Sequence, residues 1–208
     1  MSNKITVYVV RHGETEWNTK KIIQGHKDSP LTELGVNQAK ELAKQFKKIK
    51  FDLVFSSDLL RAKKTAEIIA AEHNLAVETT KLLRERAFGH LEGQPIMALK
   101  AFEEVIEKLS GDKFYTYKSS PDIESNGEIV ERIITFLREA AIAHAGKKIL
   151  VITHGGIIRT FLVKLGVLAY RDAVWIGNGD YVKLETDGSD FEVKEIKGME
   201  RRNGKRVY

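Results

Sequence analysis

Short apolar runs of strand length alternate along this chain with segments whose apolar residues recur at helical spacing. The strand-type runs cover residues 4–10, 51–56, 75–78, 147–153, 181–185 and 191–196. The amphipathic segments between them have these predicted inward-facing positions: Ala39, Leu42, Ala43 and Phe46, then Leu59, Ala62, Ala66 and Ile69, then Ile129, Ile133, Phe136 and Ala140. Such an alternation predicts βαβ units around a mostly parallel sheet, and therefore an α/β fold.

Helix starts are indicated by short polar side chains, which accept hydrogen bonds from the first free amides of a helix. Thr32 is the predicted N-cap of the first long helix, and Ser57 or Asp58 is that of the second. A further helix is predicted over 155–165. The Asp-Gly pair at 187–188 separates the last two apolar runs and predicts a hairpin.

Residues 82–127 break this alternation. They contain a helix predicted over 96–109 and a loop around Gly111 and Pro121. We interpret them as a small cap inserted near the sheet edge, within a single domain that spans residues 1–208. One domain is the ordinary expectation for a chain of 208 residues.

The composition argues against several classes of protein. No apolar run is long enough to span a bilayer, and no charged-then-apolar leader follows Met1, so we expect no membrane partner. The absence of cysteine excludes disulfides and thiolate metal sites and favours a cytoplasmic location. Net charge is +5, which favours small anionic ligands. The basic residues form no stripe with aromatic residues, so nucleic-acid binding is not expected.

One local concentration of positive charge lies at the C-terminal end, over residues 197–208. It contains Arg201, Arg202, Lys205 and Arg206. A solvated terminus is the favoured interpretation. The alternative is a basic lip that attracts anionic substrate.

Two histidines mark the ends of two strand-type runs. Arg11 and His12 follow the first run, and His154 follows the run 147–153. Ligands of open α/β sheets bind at the carboxyl ends of parallel strands. We therefore expect the two imidazoles to meet over one ligand.

Further groups suited to an anion are predicted at the same edge. Arg61 falls in the first turn of the helix after the run 51–56, and Gly155 and Gly156 open the helix after the second histidine. Free amides at a helix start form an anion site, and the planar fork of arginine fits phosphate oxygens. Together with the histidines, these groups predict a cradle for a phosphoryl group.

Seven short motifs resemble, in order, the histidine phosphatase superfamily, in the branch that includes cofactor-dependent phosphoglycerate mutases. They are RHGETEWN (11–18), QG (24–25), PLTELG (30–35), SSDLLR (56–61), LRERAFG (83–89), LEG (91–93) and THGG (153–156). Each is a modest signal, but together they cover nearly the whole chain and are specific. The resemblance implies a three-layer α/β/α sandwich around a mostly parallel, mixed six-stranded sheet.

The resemblance also implies roles for individual residues. His12 would be the nucleophile that forms a phosphohistidine, kept neutral by its positive neighbours, and Glu85 would be the general acid. Arg11, Arg61 and His154 would hold the phosphoryl oxygens. The predicted phosphate- and substrate-binding residues are Asn18, Gln24, Gly25, Gly155 and Thr15. No metal or other cofactor is expected, because the arginines and histidine can themselves neutralise the phosphoryl charge.

Several assignments stay open at this point. Glu92 is an alternative acid, although pairing with a nearby arginine is its favoured role. Thr15 either donates to phosphate or caps a local turn. Arg159 is interpreted as structural, and His90 as a residue that could tune the leaving-group pocket. The remaining assignments are surface positions for His26, His73 and His144, and packing roles for Trp17 and Trp175.

One position departs from the family pattern. Many relatives carry Pro-x-Gly-Glu-Ser ahead of the long helix, whereas Ile123 stands here at the glycine position. A β-branched residue resists positive φ, so this loop is predicted to have a different shape. Substrate preference therefore cannot be transferred in detail.

The favoured function is a metal-independent phosphatase that hydrolyses small phosphomonoester metabolites through a phosphohistidine. The alternatives are a cofactor-dependent phosphoglycerate mutase and a catalytically silent phosphate-binding module. Mutases of this family have a longer insertion between acid and second histidine, whereas only 69 positions (154 − 85) separate Glu85 from His154 here. The expected partner is a small phosphorylated metabolite, and a homodimer is one assembly that the sequence allows.

Overall fold

A mixed six-stranded sheet forms the centre of the computed structural model, which describes residues 3–169, 172 and 174–201. The strands are β1 Ile5–Arg11, β2 Leu53–Ser57, β3 Val77–Thr80, β4 Lys148–Thr153, β5 Val174–Thr186 and β6 Phe191–Arg201. Their order is β3-β2-β4-β1-β5-β6, with the first four parallel and the last two antiparallel to their neighbours. The predicted mixed, mostly parallel sheet is confirmed.

Helices cover both faces of this sheet. They are α1 Glu16–Thr19, α2 Glu33–Phe46, α3 Leu60–Ala71, α4 Lys100–Ile106, α5 Gly111–Thr116, α6 Asn126–Ala143 and α7 Gly155–Lys164. Val7 and Val9 of β1 pack on the side of α6 and α7, whereas Tyr8 and Val10 pack on the side of α2 and α3. Successive strand residues point to opposite faces, so one strand serves both layers. The three-layer α/β/α sandwich is therefore confirmed.

The helix starts were predicted correctly in one case and wrongly in another. Thr32 caps α2 as expected, since its hydroxyl accepts the third helical amide at 3.0 Å. Helix α3 instead begins after Leu59, without a side-chain cap from either Ser57 or Asp58. The carboxylate of Asp58 is bound by Arg84 through two hydrogen bonds of 2.6 Å. The first amide of α3, that of Leu60, donates to Oδ2 of the distant Asp28 at 2.9 Å, which the local sequence could not reveal.

Residues 82–127 are arranged differently from the prediction. The helix expected over 96–109 consists of a 3₁₀ turn at Ile96–Leu99 followed by α4, and α5 occupies the expected loop near Gly111. A small apolar cluster joins these pieces and contains Phe102, Ile106, Phe114 and Ile123. The boundary of the cap as an insertion stays a prediction.

Ile123 is accommodated in this cluster without backbone strain. It is buried, and the described non-glycine residues with positive φ are only Lys21 and Asn74. The loop therefore does not need the glycine that many relatives carry there. The apolar side chain of Ile123 contributes to the cluster instead.

The C-terminal hairpin is longer than predicted, since β5 begins at Val174 and β6 ends at Arg201. The prediction for the basic tail at Arg202, Lys205 and Arg206 lies outside the described residues. None of the helices in the described ranges combines the length and apolarity that a membrane crossing requires.

Candidate active site

The register between β1 and β4 brings the two histidines to one place. Arg11 lies opposite Thr153, and the His12 amide donates to the Thr153 carbonyl at 3.0 Å. Strands β1 and β4 both end there. The imidazoles of His12 and His154 therefore lie next to each other, with ring centroids 5.1 Å apart. The structure thus places both residues together at the predicted edge.

The protonation pattern of His12 suits a nucleophile. Its Nδ1 lies 2.7 Å from the Gly13 carbonyl oxygen, which can only accept, so Nδ1 carries the hydrogen and Nε2 keeps its lone pair. Burial, reinforced by the charges of Arg61 and Arg11, holds the pKa of His12 well below its ordinary value. His12 is therefore neutral near pH 7, with Nε2 available to attack.

His154 is fully buried, and neither of its ring nitrogens has a hydrogen-bond partner within the described chain. Burial lowers the pKa of His154 well below its ordinary value, and the positive charge of Arg61 lowers it further. An unpaired buried polar group costs about 1–3 kcal/mol. A phosphoryl oxygen beside the ring would remove that cost, because the neutral ring still has one N–H to donate.

Arg61 is a buried cation rather than a surface charge, with only 1% of its surface exposed. Its Nη1 donates to the Lys27 carbonyl and to Asp28 Oδ1, both at 2.9 Å, and its Nη2 donates to the Gly25 carbonyl at 2.7 Å. Its Nε has no partner among the described groups. Burial lowers the pKa of Arg61, opposed by the charge of Asp28. This side chain therefore fixes the loop 25–28 against the site.

Arg11 approaches the start of α7 closely. Its Nη1 donates to the Ile176 carbonyl at 2.5 Å, while Nε is buried and unpaired within the described chain. A Cβ placed on Gly155 would lie 3.2 Å from that Nε. A glycine at position 155 therefore gives the guanidinium room at this helix start.

Glu85 occupies the anion site predicted at that helix start. Its Oε2 accepts the Gly156 amide at 3.0 Å, and its Oε1 accepts the Arg86 amide at 2.8 Å. A Cβ on Gly156 would overlap Oε1, so a larger residue at this position would displace the carboxylate of Glu85. The prediction of a free amide at position 156 is thus wrong, because this amide already binds a carboxylate of the chain itself.

Glu92 serves the loops around the site. Its Oε1 accepts the amides of His26 and Phe88, both at 2.9 Å, and its Oε2 accepts the Lys27 amide at 3.2 Å. Gly25 has φ +55°, and a Cβ there would overlap the same carboxylate. The favoured structural role holds, but its partners are backbone amides and not the arginine that we expected.

The three polar residues predicted to contact substrate differ in placement. The Thr15 hydroxyl accepts the Asn18 amide at 3.2 Å and donates to Asn18 Oδ1 at 3.0 Å, which forms the cap of α1. Thr15 therefore caps a turn, and it is not among the residues that line the cavity beside His12. Asn18 and Gln24 both line the cavity beside His12, and Oε1 of Gln24 is buried there without a partner in the described chain.

That cavity has a volume of about 180 Å³. Besides the two polar residues just described, it is lined by Arg11, His12, Gly25, Arg61, Glu85, Gly155 and Gly156. Apart from Thr15 and His154, the predicted residues therefore line one cavity, and the His154 ring packs against that of His12. In the described ranges, no three carboxylate or imidazole side chains are grouped so that they could hold a metal ion.

The surface assignment of His26 and the pocket assignment of His90 were wrong, whereas Arg159 has the structural contacts that were predicted. Nε2 of His26 lies 2.9 Å from the Glu85 carbonyl oxygen, so His26 supports the segment that carries the proposed acid. Arg159 lines the cavity, with its guanidinium 5.4 Å from the ring centroid of Trp175, which lines it too. His90 instead pairs with Asp122 at 3.0 Å and does not line the cavity.

Asn178 is a contributor that sequence reasoning missed. It lies where the pairing of β5 and β6 shifts register, and its Nδ2 donates to the His12 carbonyl at 2.9 Å. Oδ1 of Asn18 lies 3.5 Å from the same Nδ2. Asn178 therefore joins the backbone of His12 to a cavity-lining side chain.

Replacing Asn178 by alanine is expected to lower kcat about 10- to 100-fold with a smaller change in KM, because His12 loses a positioning bond. Asn178→Asp should lower kcat at least as much, since its acceptor faces a carbonyl. Comparing kcat, KM and Tm of both variants separates positioning from instability. Equal kcat in all three proteins at unchanged Tm would remove Asn178 from the site.

Comparisons with known proteins agree with this geometry. The family model of the histidine phosphatase superfamily (branch 1) matches residues 7–197. The chain is 40% identical over 161 residues to phosphoglycerate mutase-like protein 4 of Arabidopsis thaliana, covering 74% of this chain and 68% of the relative. It is 32% identical to the probable phosphoglycerate mutase GpmB of Yersinia pestis, covering 95% and 100%.

A solved structure extends the agreement to three dimensions. Bacillus stearothermophilus YhfR superposes with a TM-score of 0.79 at 26% identity, covering 93% of this chain and 96% of that one. The family match extends over nearly the whole described sheet, including both strands that end in the paired histidines. The chain belongs to the histidine phosphatase superfamily (branch 1).

Proposed function

We propose that this protein is a metal-independent phosphatase that hydrolyses small phosphomonoester metabolites through a phosphohistidine at His12. The observation that carries the proposal is the state of this imidazole. Its Nδ1 is held by the Gly13 carbonyl, so Nε2 keeps its lone pair in a cavity that Arg11 and Arg61 also line. A neutral nucleophile beside fixed cations is what attack on a phosphate dianion requires.

Two displacements complete the reaction. Nε2 of His12 attacks phosphorus, the bond from phosphorus to the ester oxygen breaks, and Glu85 gives a proton to the leaving alcohol. Glu85, now ionised, takes a proton from water, which attacks phosphorus and breaks the N–P bond. Inorganic phosphate leaves, and both His12 and Glu85 return to their starting states. Arg11, Arg61 and His154 stabilise the charge of the phosphoryl oxygens in both steps.

A phosphoglycerate mutase is the second candidate, and the names of both relatives favour it. Such an enzyme must return the phosphoryl group to the bound product before water reaches it. Arg86 and Arg159 also line the cavity and add to its positive charge. The 69 positions (154 − 85) from Glu85 to His154 leave a short cap to exclude water, which favours hydrolysis.

One assay separates these functions. The protein is incubated with p-nitrophenyl phosphate and with 3-phosphoglycerate, both in the presence of EDTA. Phosphate release that survives chelation supports the phosphatase. Isomerisation of 3-phosphoglycerate without release would instead assign the mutase, and binding of phosphate without turnover would assign a silent binding module.

The lowered pKa values of His12 and His154 predict a loss of stability in acid. Unfolded histidines bind protons below about pH 6.5, whereas the folded ones do not, so the unfolded state binds more protons there. The free energy of unfolding should therefore fall from pH 6.5 towards pH 5, by at most about 2.7 kcal/mol per pH unit for two groups. Urea denaturation checks this, and His12→Gln should show roughly half the slope. A flat profile would contradict the burial of two neutral imidazoles.

A further inference from the structure

The cavity beside His12 opens into a second, outer cavity of about 640 Å³. The two share the lining residues Asn18, Ile22, Ile96, Glu103 and Trp175. Sites for drug-sized ligands have volumes of roughly 300–1,000 Å³. A substrate whose phosphoryl group lies at His12 can therefore extend into a space much larger than a small polar alcohol needs.

Large apolar side chains line this space although they are exposed. Ile96, Met97 and Trp175 are 41%, 69% and 39% exposed, and they are among the most exposed large hydrophobic residues of the described chain. Trp17 and Ile22 add further apolar lining, and the charged side chains of Lys21, Lys100 and Glu103 line the cavity as well. Exposed apolar groups that gather around a ligand cavity indicate a binding surface.

Two of the four arginines that line the inner cavity, Arg86 and Arg159, are hydrogen-bonded to the protein. Nη1 of Arg86 donates to the Glu124 carbonyl at 2.6 Å, and its Nη2 donates to Asn126 Oδ1 at 2.5 Å. Nε of Arg159 donates to the Val174 carbonyl at 3.1 Å. These hydrogen bonds hold both guanidinium groups against the protein. Ile22, Ile96 and Trp175 form the apolar part of the route between the two cavities, and Asn18 and Glu103 form its polar part.

We infer that the alcohol part of the substrate is bulky and apolar, with a flat or aromatic portion that packs against Trp175, Met97 and Ile96. This inference rests on the proposed phosphatase function and extends it from the reaction to the class of substrate. A flat ring on the Trp175 indole would bury apolar area on both partners, which a small hydroxylated or carboxylated alcohol cannot do.

The test compares two phosphate esters whose leaving alcohols have similar acidity, so that intrinsic reactivity does not decide the result. They are 2-(1-naphthyl)ethyl phosphate and ethyl phosphate. We expect kcat/KM to be about 30-fold higher for the naphthyl ester, which corresponds to burial of roughly 80 Å² of ring at about 25 cal/mol per Å². Equal values for the two esters would overturn the inference while leaving the phosphatase intact.

Variants of the outer cavity locate the preference. Met97→Ala and Trp175→Ala are each expected to lower the ratio of the two kcat/KM values about 5-fold or more. Ile142→Ala is the matched control, since Ile142 is 82% exposed on α6 and lines neither cavity. It should keep the wild-type ratio. A ratio unchanged in both cavity variants would overturn the assignment of this surface.

The same experiment distinguishes failure of the reaction from failure of the substrate class. If no phosphate is released from either ester or from p-nitrophenyl phosphate, the proposed phosphatase function is wrong, and the inference fails with it. If phosphate is released from all three esters without preference for the naphthyl group, only the inference fails.

Discussion

Replacing His12 by alanine is expected to lower kcat for p-nitrophenyl phosphate on the order of 10⁵-fold, as loss of a covalent nucleophile does in other enzymes. The remaining groups still bind phosphate but have no atom to which phosphorus can be transferred. In the wild-type protein, rapid quenching with labelled substrate should trap a phosphoenzyme. An N–P bond to imidazole resists alkali and breaks in acid, which distinguishes it from a phosphoserine.

Two histidine variants serve as controls for this expectation. His144 packs beside Phe55 with ring centroids 6.0 Å apart and lies outside the cavity, so His144→Ala should keep both turnover and label. His154→Ala should keep some label on His12 but form it slowly. If His12→Ala retains the label and His154→Ala loses it, the nucleophile has been assigned to the wrong imidazole.

The sheet and the paired histidines could be predicted because their signals are local. Runs such as 4–10 and 147–153 are apolar along their whole length, as expected for central strands buried on both faces. Each run is followed directly by a histidine. Because β1 and β4 pair in parallel, their carboxyl ends lie side by side, and His12 and His154 are therefore neighbours. The family resemblance added chemical roles to positions that the strand pattern had already singled out.

The remaining parts of the site depend on contacts between distant segments. Asn178 reaches the His12 carbonyl from 166 positions away, and nothing in its own neighbourhood signals this. Glu85 was predicted as the acid. Its hydrogen bond to the Gly156 amide was not predicted, because the two residues are 71 positions apart. Sequence patterns describe faces of helices and strands, and they carry little information on which loop carboxylate meets which amide.

In the cap, the bounds of the helices could not be predicted from the sequence either. Its helix prediction failed because Ile96–Leu99 forms a 3₁₀ turn and only Lys100–Ile106 is α-helical. Short amphipathic segments are marginal by themselves, so packing decides where they begin and end. Those ends determine which apolar side chains line the outer cavity. The inference on substrate class therefore rests on the structure and not on the sequence.

Glu85→Gln and Glu92→Gln are expected to affect different properties of the protein. For an alkyl phosphate, Glu85→Gln should lower kcat about 10²- to 10⁴-fold, because the leaving alkoxide loses its proton donor. With p-nitrophenyl phosphate the leaving phenolate needs little protonation, so the first step should be nearly spared. The water step still lacks its base, and a burst with accumulating phosphoenzyme should appear.

Glu92→Gln is the matched control, because it makes the same chemical change at a carboxylate outside the cavity. Glu92 accepts three backbone amides, and a glutamine would point an N–H group at one of them. We expect a loss of about 2 kcal/mol in stability, or a Tm lower by roughly 4–8 °C, with kcat changed less than about 5-fold. The reverse ranking of the two variants in kcat would move the acid to Glu92. Because Glu92 holds the loop amides and only Glu85 contacts the start of α7 beside the paired histidines, we expect the catalytic loss at Glu85 and the thermal loss at Glu92.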